Sequence, residues 1–251
     1  MGKGKLLKFK EVESFRNVVQ APYGLVKGSD FFLKGNWVSD FFSNNNPLVL
    51  ELGCGKGEYT VELAERFPDK NFLGVDIKGA RIWKGAKHSL GEKLKNAGFL
   101  RTNIEIIGQF FAPGEVEEIW LTFPDPQMKK TNKRLTSVNF LLKYKGFISK
   151  GGVIHLKTDS NFLYQYTLAL IGENKFELLA HTADLYNSDY LDDILNIKTY
   201  YEKQWLGRGI AIKYLSFRLH ENGLYREPDI KVEKDSYRSY GRNALKKPKD
   251  G

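Results

Sequence analysis

The sequence predicts an α/β fold: a seven-stranded, mostly parallel sheet covered by helices on both faces, with an antiparallel edge strand. Three observations carry this. From Pro47 onward, short apolar runs alternate with stretches of helical spacing 10 to 18 residues long, the pattern of parallel strands joined by crossover helices. The first of those runs ends in a glycine cluster, ELGCGKGEY. The last two apolar runs, at 176–186 and 210–219, are longer, rich in β-formers and not joined by a clean helical crossover, which suits an antiparallel pair.

The elements follow in order. PLVLEL (47–52) is a buried strand, and residues 58–67 are helical, with Tyr59, Val61, Leu63, Ala64 and Phe67 at apolar spacing. NFLGVD (71–76) is a second strand, 80–97 a basic helix, FLRTN (99–103) a weaker strand and EEIWLTF (117–123) a strong one. Residues 137–150 read as a helix closed by Gly151 and Gly152. GVIHLKTD (152–159) is a strand, with a helix over 160–173. Residues 1–45 form a basic and aromatic N-terminal arm, 46–222 the catalytic domain and 223–251 a basic C-terminal tail. An architecture of this kind is similar to that of class I methyltransferases.

Composition narrows the function classes. With 41% hydrophobic and 27% charged residues the chain has the makeup of a globular protein. No apolar run approaches the ~18 residues of a membrane span. The N-terminus lacks the apolar core of a secretory signal, and one cysteine forms no internal disulfide, so the expected compartment is the cytoplasm. Histidines 88, 155, 181 and 220 have no ligand spacing, and no metal is expected. A net charge of +9 favours a polyanionic partner. The charge is concentrated: residues 127–150 hold seven Lys or Arg and no acid.

In the glycine loop, Gly53, Gly55 and Gly57 let the backbone turn tightly and approach a ligand. The dinucleotide pattern G-x-G-x-x-G is absent, because Glu58 stands at its third position, and Lys56 is followed by Gly57 rather than by the Ser or Thr of a P-loop. The remaining pattern, E-x-G-x-G-x-G, resembles motif I of S-adenosylmethionine-dependent methyltransferases. That cofactor has no pyrophosphate and carries a cation, so Glu51 beside the loop is favourable. Asp76, at the end of the second strand, is placed to accept hydrogen bonds from both ribose hydroxyls, or else to cap the following helix. Cys54 reads as a small packing residue.

The strand EEIWLTF is cut off by Pro124 and Pro126, which no strand interior tolerates. Asp125 between them sits at a strand's carboxyl end, where open α/β sheets bind ligands. Lys129, Lys130, Lys133 and Arg134 follow, as candidate contacts to nucleic-acid phosphates. FPDP followed by a basic run, KTD at 157–159 and T-x-x-E at Thr199 to Glu202 resemble, in this order, the TrmB family of tRNA (guanine-N7)-methyltransferases, over about residues 47–217. The resemblance implies cofactor contacts from Glu51, Asp76, Asn103 and Asp125, and tRNA or guanine contacts from Lys129, Asp159 and residues 199–202. It also implies guanine 46 of the variable loop as acceptor. Two departures stand out: Gln127 occupies the family's usual tryptophan position, and the basic loop has no histidine.

Guanine N7 is an unprotonated acceptor exposed on the major-groove edge. Asp125 and Asp159 are therefore expected to orient the base and stabilise positive charge as it develops, rather than to remove a proton. Each has a structural alternative: Asp125 as a turn-former, Asp159 as a helix N-cap, and Thr199 with Glu202, from spacing alone, as a capping box. A class I methyltransferase acting on another RNA base, and a catalytically silent RNA-binding protein of this fold, are the alternatives. Monomer and homodimer are equally compatible with the sequence.

Overall fold

Leu48–Leu52 and Asn71–Asp76 are buried at every residue, which requires a sheet covered on both faces. The computed structural model describes residues 3–22, 24, 31–220 and 223–238. Its strands are β1 (Val18–Gln20), β2 (Leu48–Leu52), β3 (Asn71–Asp76), β4 (Ala97–Arg101), β5 (Val116–Thr122), β6 (Ile148–Thr158), β7 (Glu177–Thr182) and β8 (Lys213–Arg218). The helices are α1 (Lys3–Glu13), α2 (Glu58–Arg66), α3 (Gly79–Gly91), α4 (Val138–Lys145), α5 (Asn161–Asn174) and α6 (Tyr200–Leu206).

The strands form one sheet in the order β1-β4-β3-β2-β5-β6-β8-β7. The first six are mutually parallel, and β8 runs against both β6 and β7. The expected antiparallel pair is present, with β8 set one place in from the edge. There are eight strands among the described residues rather than seven, because VVQ pairs with β4. Three residues are too few to show a periodicity.

Two boundaries differ from expectation. The helix expected to reach residue 150 ends at Lys145, and β6 already begins at Ile148. Val116 pairs with Ile148 and Glu118 with Val153, so residues 149–152 bulge out of the ladder with Gly151 at φ 78°. The glycine pair therefore marks a bulge inside a strand. The helix expected over 80–97 stops at Gly91; the chain turns at Lys93, φ 56°, and Ala97 opens β4.

The N-terminal segment joins the core. Trp37 is fully buried, donates through Nε1 to the Phe110 carbonyl at 2.9 Å, and packs among Phe31, Phe41 and Phe111. Residues 223–238 form a strap along α5. Glu227 accepts the Val138 N–H at 2.9 Å and the Tyr166 hydroxyl, and Asn174 exchanges two hydrogen bonds with the Arg226 backbone. Asp235 accepts the Phe162 N–H at 3.1 Å and the Ser160 hydroxyl, capping the start of α5. Among the described residues no helix is long and apolar enough to cross a membrane.

Candidate active site

The carboxyl ends of the parallel strands bring the sequence motifs to one edge. After β2, Gly53, Gly55 and Gly57 all have positive φ, at 83°, 58° and 70°. Gly57 is dictated by packing as well, since a Cβ there would lie 2.5 Å from the Phe99 ring. On the other side of the loop there is room. A Cβ on Gly53 would meet nothing within 4 Å, and one on Gly55 only the Gly53 carbonyl at 3.9 Å. Cys54 is buried, which pushes its thiol well above the ordinary range, as befits a packing residue.

Asp76 ends β3. Its Oδ2 accepts the Gly55 N–H at 3.0 Å and its Oδ1 the Lys78 N–H at 2.8 Å, so one carboxylate ties the glycine loop to the entry of α3. A carboxylate offers about four acceptor sites, and two backbone donors leave capacity for ribose hydroxyls. Glu51 is placed more deeply. Its Oε2 accepts the Thr60 N–H at 2.9 Å and the Thr60 hydroxyl, and its Oε1 accepts the Thr122 hydroxyl. Burial pushes its carboxyl up to about 7, against the lowering effect of those three donors. Thr60 and Thr122 had no signature in the sequence, because nothing local marks them as partners of an acid on a neighbouring strand. Asn103, exposed beyond β4, accepts the Glu105 N–H at 3.0 Å and caps a 3-10 turn.

The loop open on its ligand side, the spare acceptor capacity of Asp76 and an acid beneath the loop fit a nucleoside that carries a cation. S-adenosylmethionine is such a group, and Gly53, Gly55, Asp76 and Asn103 are the residues that would hold it.

Asp125 is exposed between two buried prolines after β5, and its Oδ1 accepts the Gln127 N–H at 2.9 Å. Phe123 and Gln127, on either side, adopt φ of 50° and 46°, values costly for residues with a Cβ. The chain thus holds Asp125 outward by a strained turn. Lys129 and Lys130 are exposed just beyond it, and Lys133 pairs with Glu105. Arg134 is turned inward instead. Its guanidinium lies 4.8 Å from the Phe162 ring and 4.4 Å from the Tyr166 ring, and donates to the Gln127 and Met128 carbonyls. It pins the loop after Asp125 to α5 and presents no charge to a bound polyanion.

Beyond β6, Asp159 is fully buried, and the Tyr237 hydroxyl lies 2.9 Å from its Oδ2. The helix cap after it comes from Ser160, whose hydroxyl accepts the Leu163 N–H. Thr199 and Glu202 form the capping box of α6, with hydrogen bonds of 3.2 and 3.3 Å. Glu202 is fully buried; it pairs with Lys157 at 2.8 Å and accepts the Tyr186 hydroxyl at 2.7 Å. Lys157 also donates to the Leu195 and Ile197 carbonyls, at 2.6 and 2.9 Å. Burial lowers the Lys157 pKa, opposed by the charge of Glu202. This pair fastens α6 and the segment before it to β6. Tyr200 and Tyr201, the next residues of the motif, face solvent, with the Lys56 ammonium 3.6 Å from the Tyr200 ring centroid. Among the described residues no cluster of His, Cys, Asp or Glu could hold a metal ion.

A parallel sheet whose penultimate strand runs backwards, with an open glycine loop over its central strand, is the framework of the class I S-adenosylmethionine-dependent methyltransferases. The crystal structure of a 30S ribosomal A1408 methyltransferase from an uncultured bacterium shares it, with a TM-score of 0.52 over 77% of this chain and 97% of that one, at 12% identity. That likeness concerns the fold alone. A family model described as a putative methyltransferase matches residues 45–215. A curated tRNA (guanine-N(7)-)-methyltransferase of Bacteroides fragilis (strain YCH46) is 59% identical over 243 residues, covering 97% of this chain and 96% of its own. Its counterpart in Porphyromonas gingivalis (strain ATCC BAA-308 / W83) is 57% identical over 236 residues, covering 92% of this chain and 97% of its own. The chain belongs to the tRNA (guanine-N(7)-)-methyltransferase family.

Proposed function

We propose that this chain transfers a methyl group from S-adenosylmethionine to N7 of a guanine in tRNA, with guanine 46 of the variable loop as the acceptor. The observation that carries the reading is the 59% identity with a curated enzyme of that name across 97% of the chain. The geometry of the carboxyl edge supports it. Gly53, Gly55, Asp76 and Asn103 take the donor, Glu51 lies beneath it where a bound cation would favour its charged form, and Asp125 stands outward at the next strand end.

S-adenosylmethionine supplies, when bound, a methyl group on a sulfonium cation. The acceptor nitrogen carries a lone pair and no proton, so the residues of this chain have no proton to remove. Their work is to orient the base and to offset the positive charge that arrives on it. Asp125 is suited to both, because its strained turn fixes the carboxylate at the edge of the sheet. Asp159 accepts from the N–H edge of the guanine. Lys129 and Lys130 contact phosphates, which position the RNA without reading its sequence.

The test is to incubate the protein with labelled S-adenosylmethionine and a tRNA transcript, digest to nucleosides and separate them. Label in 7-methylguanosine, at position 46, is the expected product. Label in 1-methylguanosine, in N2-methylguanosine or in another base would overturn the assignment.

A further inference from the structure

Asp159 follows directly on β6, one strand over from Asp125, yet no part of it reaches solvent. The strap is part of what covers it. The Tyr237 hydroxyl lies 2.9 Å from Asp159 Oδ2 and 3.0 Å from the Asp159 carbonyl. The Tyr237 ring packs on the Trp205 indole of α6, with centroids 5.5 Å apart at 63°. Tyr237 thus joins the end of β6 to the helix of the T-x-x-E motif. A polar hydrogen given to the carboxylate and a flat π face set against an indole are also what a purine with an N–H edge would offer there. The phenol and the base cannot hold the same carboxylate oxygen together.

We propose that Tyr237 is a specificity-determining gate on the acceptor site: it competes with the incoming guanine for Asp159 and yields only to RNA that binds elsewhere on the protein as well. The proposal rests on Asp159 meeting the acceptor base. The construction of the strap suits a gate. Asp235, two residues earlier, is buried and fixed to the start of α5 by the Phe162 N–H at 3.1 Å and the Ser160 hydroxyl. Ser236, between them, is exposed. In the gate, Tyr237 swings about Ser236, at the start of a 3-10 turn over Ser236–Arg238, while Asp235 keeps the strap docked. Displacing a hydrogen bond to a charged acceptor is a fixed cost for every ligand. A full tRNA offsets it through phosphate contacts at Lys129 and Lys130, and a short fragment does not. At a concentration that a full tRNA still saturates, the gate thereby leaves a guanine in a short fragment largely unbound.

The experiment compares wild type, Tyr237→Phe and Tyr237→Ala on two acceptors, full-length tRNA and a fragment containing only the variable loop and its flanking stems. Tyr237→Phe keeps the ring and loses only the hydroxyl. It is expected to raise kcat/KM by roughly 10-fold on both acceptors, the worth of one hydrogen bond to a charged group, so that turnover of a subsaturating fragment rises while kcat on saturating tRNA does not. The KM for S-adenosylmethionine is expected to stay unchanged in both variants, which separates gating from misfolding. Unchanged or lowered fragment activity in Tyr237→Phe would overturn the gate. Asp159→Asn serves as the independent arm. If it transfers methyl groups as wild type does, the reading of Asp159 fails. If it is impaired while Tyr237→Phe gains nothing, only the gate fails. Hydrogen exchange gives a second readout: the peptide spanning residues 235–237 should exchange faster once tRNA is added, and slower exchange would count against the proposal.

Discussion

Over β2 and β3, the glycine loop is anchored by internal hydrogen bonds, and the space beside Gly53 and Gly55 is open. Over β5 and β6, three of the seven charges that the sequence places at the edge are turned inward. Asp76, although buried, holds two backbone N–H groups and keeps acceptor capacity, whereas Arg134 is stacked between rings and Glu202 is paired with Lys157. The donor side is preformed. The acceptor side is braced and covered, with Asp125, Lys129, Lys130 and the Glu105-paired Lys133 among its exposed charges. A methyl donor is small and always the same, so a rigid site serves it. A folded RNA is large, and a site that opens to it gains selectivity.

The comparison can be broken most severely at Glu202. Glu202→Ala leaves the Lys157 ammonium buried without its counter-charge, and unfolding measurements should show a loss of about 3–5 kcal/mol. Methyl transfer per folded molecule should persist. Preserved stability with lost tRNA binding would instead make Glu202 a substrate contact. Next is Asp125→Ala, expected to lower kcat by roughly 10²–10³-fold, as does loss of one fixed electrostatic group in an active site. Calorimetry should find S-adenosylmethionine affinity reduced far less, since the acid acts mainly on the acceptor side.

Glu51 sharpens the donor side. Its carboxyl sits at about 7 in the folded protein against an ordinary 4.5, so folding takes up a proton between those values. Its contribution is fullest below pH 4.5 and declines as pH rises to 7, by about 3 kcal/mol in all. Glu51→Gln lacks this titration. The stability of the variant relative to wild type should therefore rise between pH 4.5 and 7 and level off above, as measured by urea unfolding; a flat difference would contradict the buried placement. The smallest effects concern the cations. Lys129→Ala and Lys130→Ala should each reduce the slope of log affinity against log salt by about 0.7–0.9. Arg134→Ala should leave that slope unchanged while lowering stability.

What the sequence made legible divides along the same line. The glycine loop and Asp76 could be read because their spacing is local and each ends a strongly apolar strand. The prolines around Asp125 were equally plain, since a strand cannot continue through them. The Lys157–Glu202 pair was not visible, because β6 and α6 meet only through packing, and T-x-x-E marks the cap but not the buried partner. Arg134 was one cation in a basic run until Phe162 and Tyr166 placed rings against it. The C-terminal strap read as a basic tail because Glu227 and Asp235 are scattered among lysines and arginines. Each finds a helix start only in three dimensions.

Methyl transfer to a tRNA transcript made with 7-deazaguanosine in place of guanosine tests the central claim most directly. The substituted base keeps the N1 and N2 hydrogens but has a C–H where N7 would accept. Transfer to the ordinary transcript and none to the substituted one is the predicted result. Undiminished transfer to the 7-deaza transcript would exclude N7 as the acceptor.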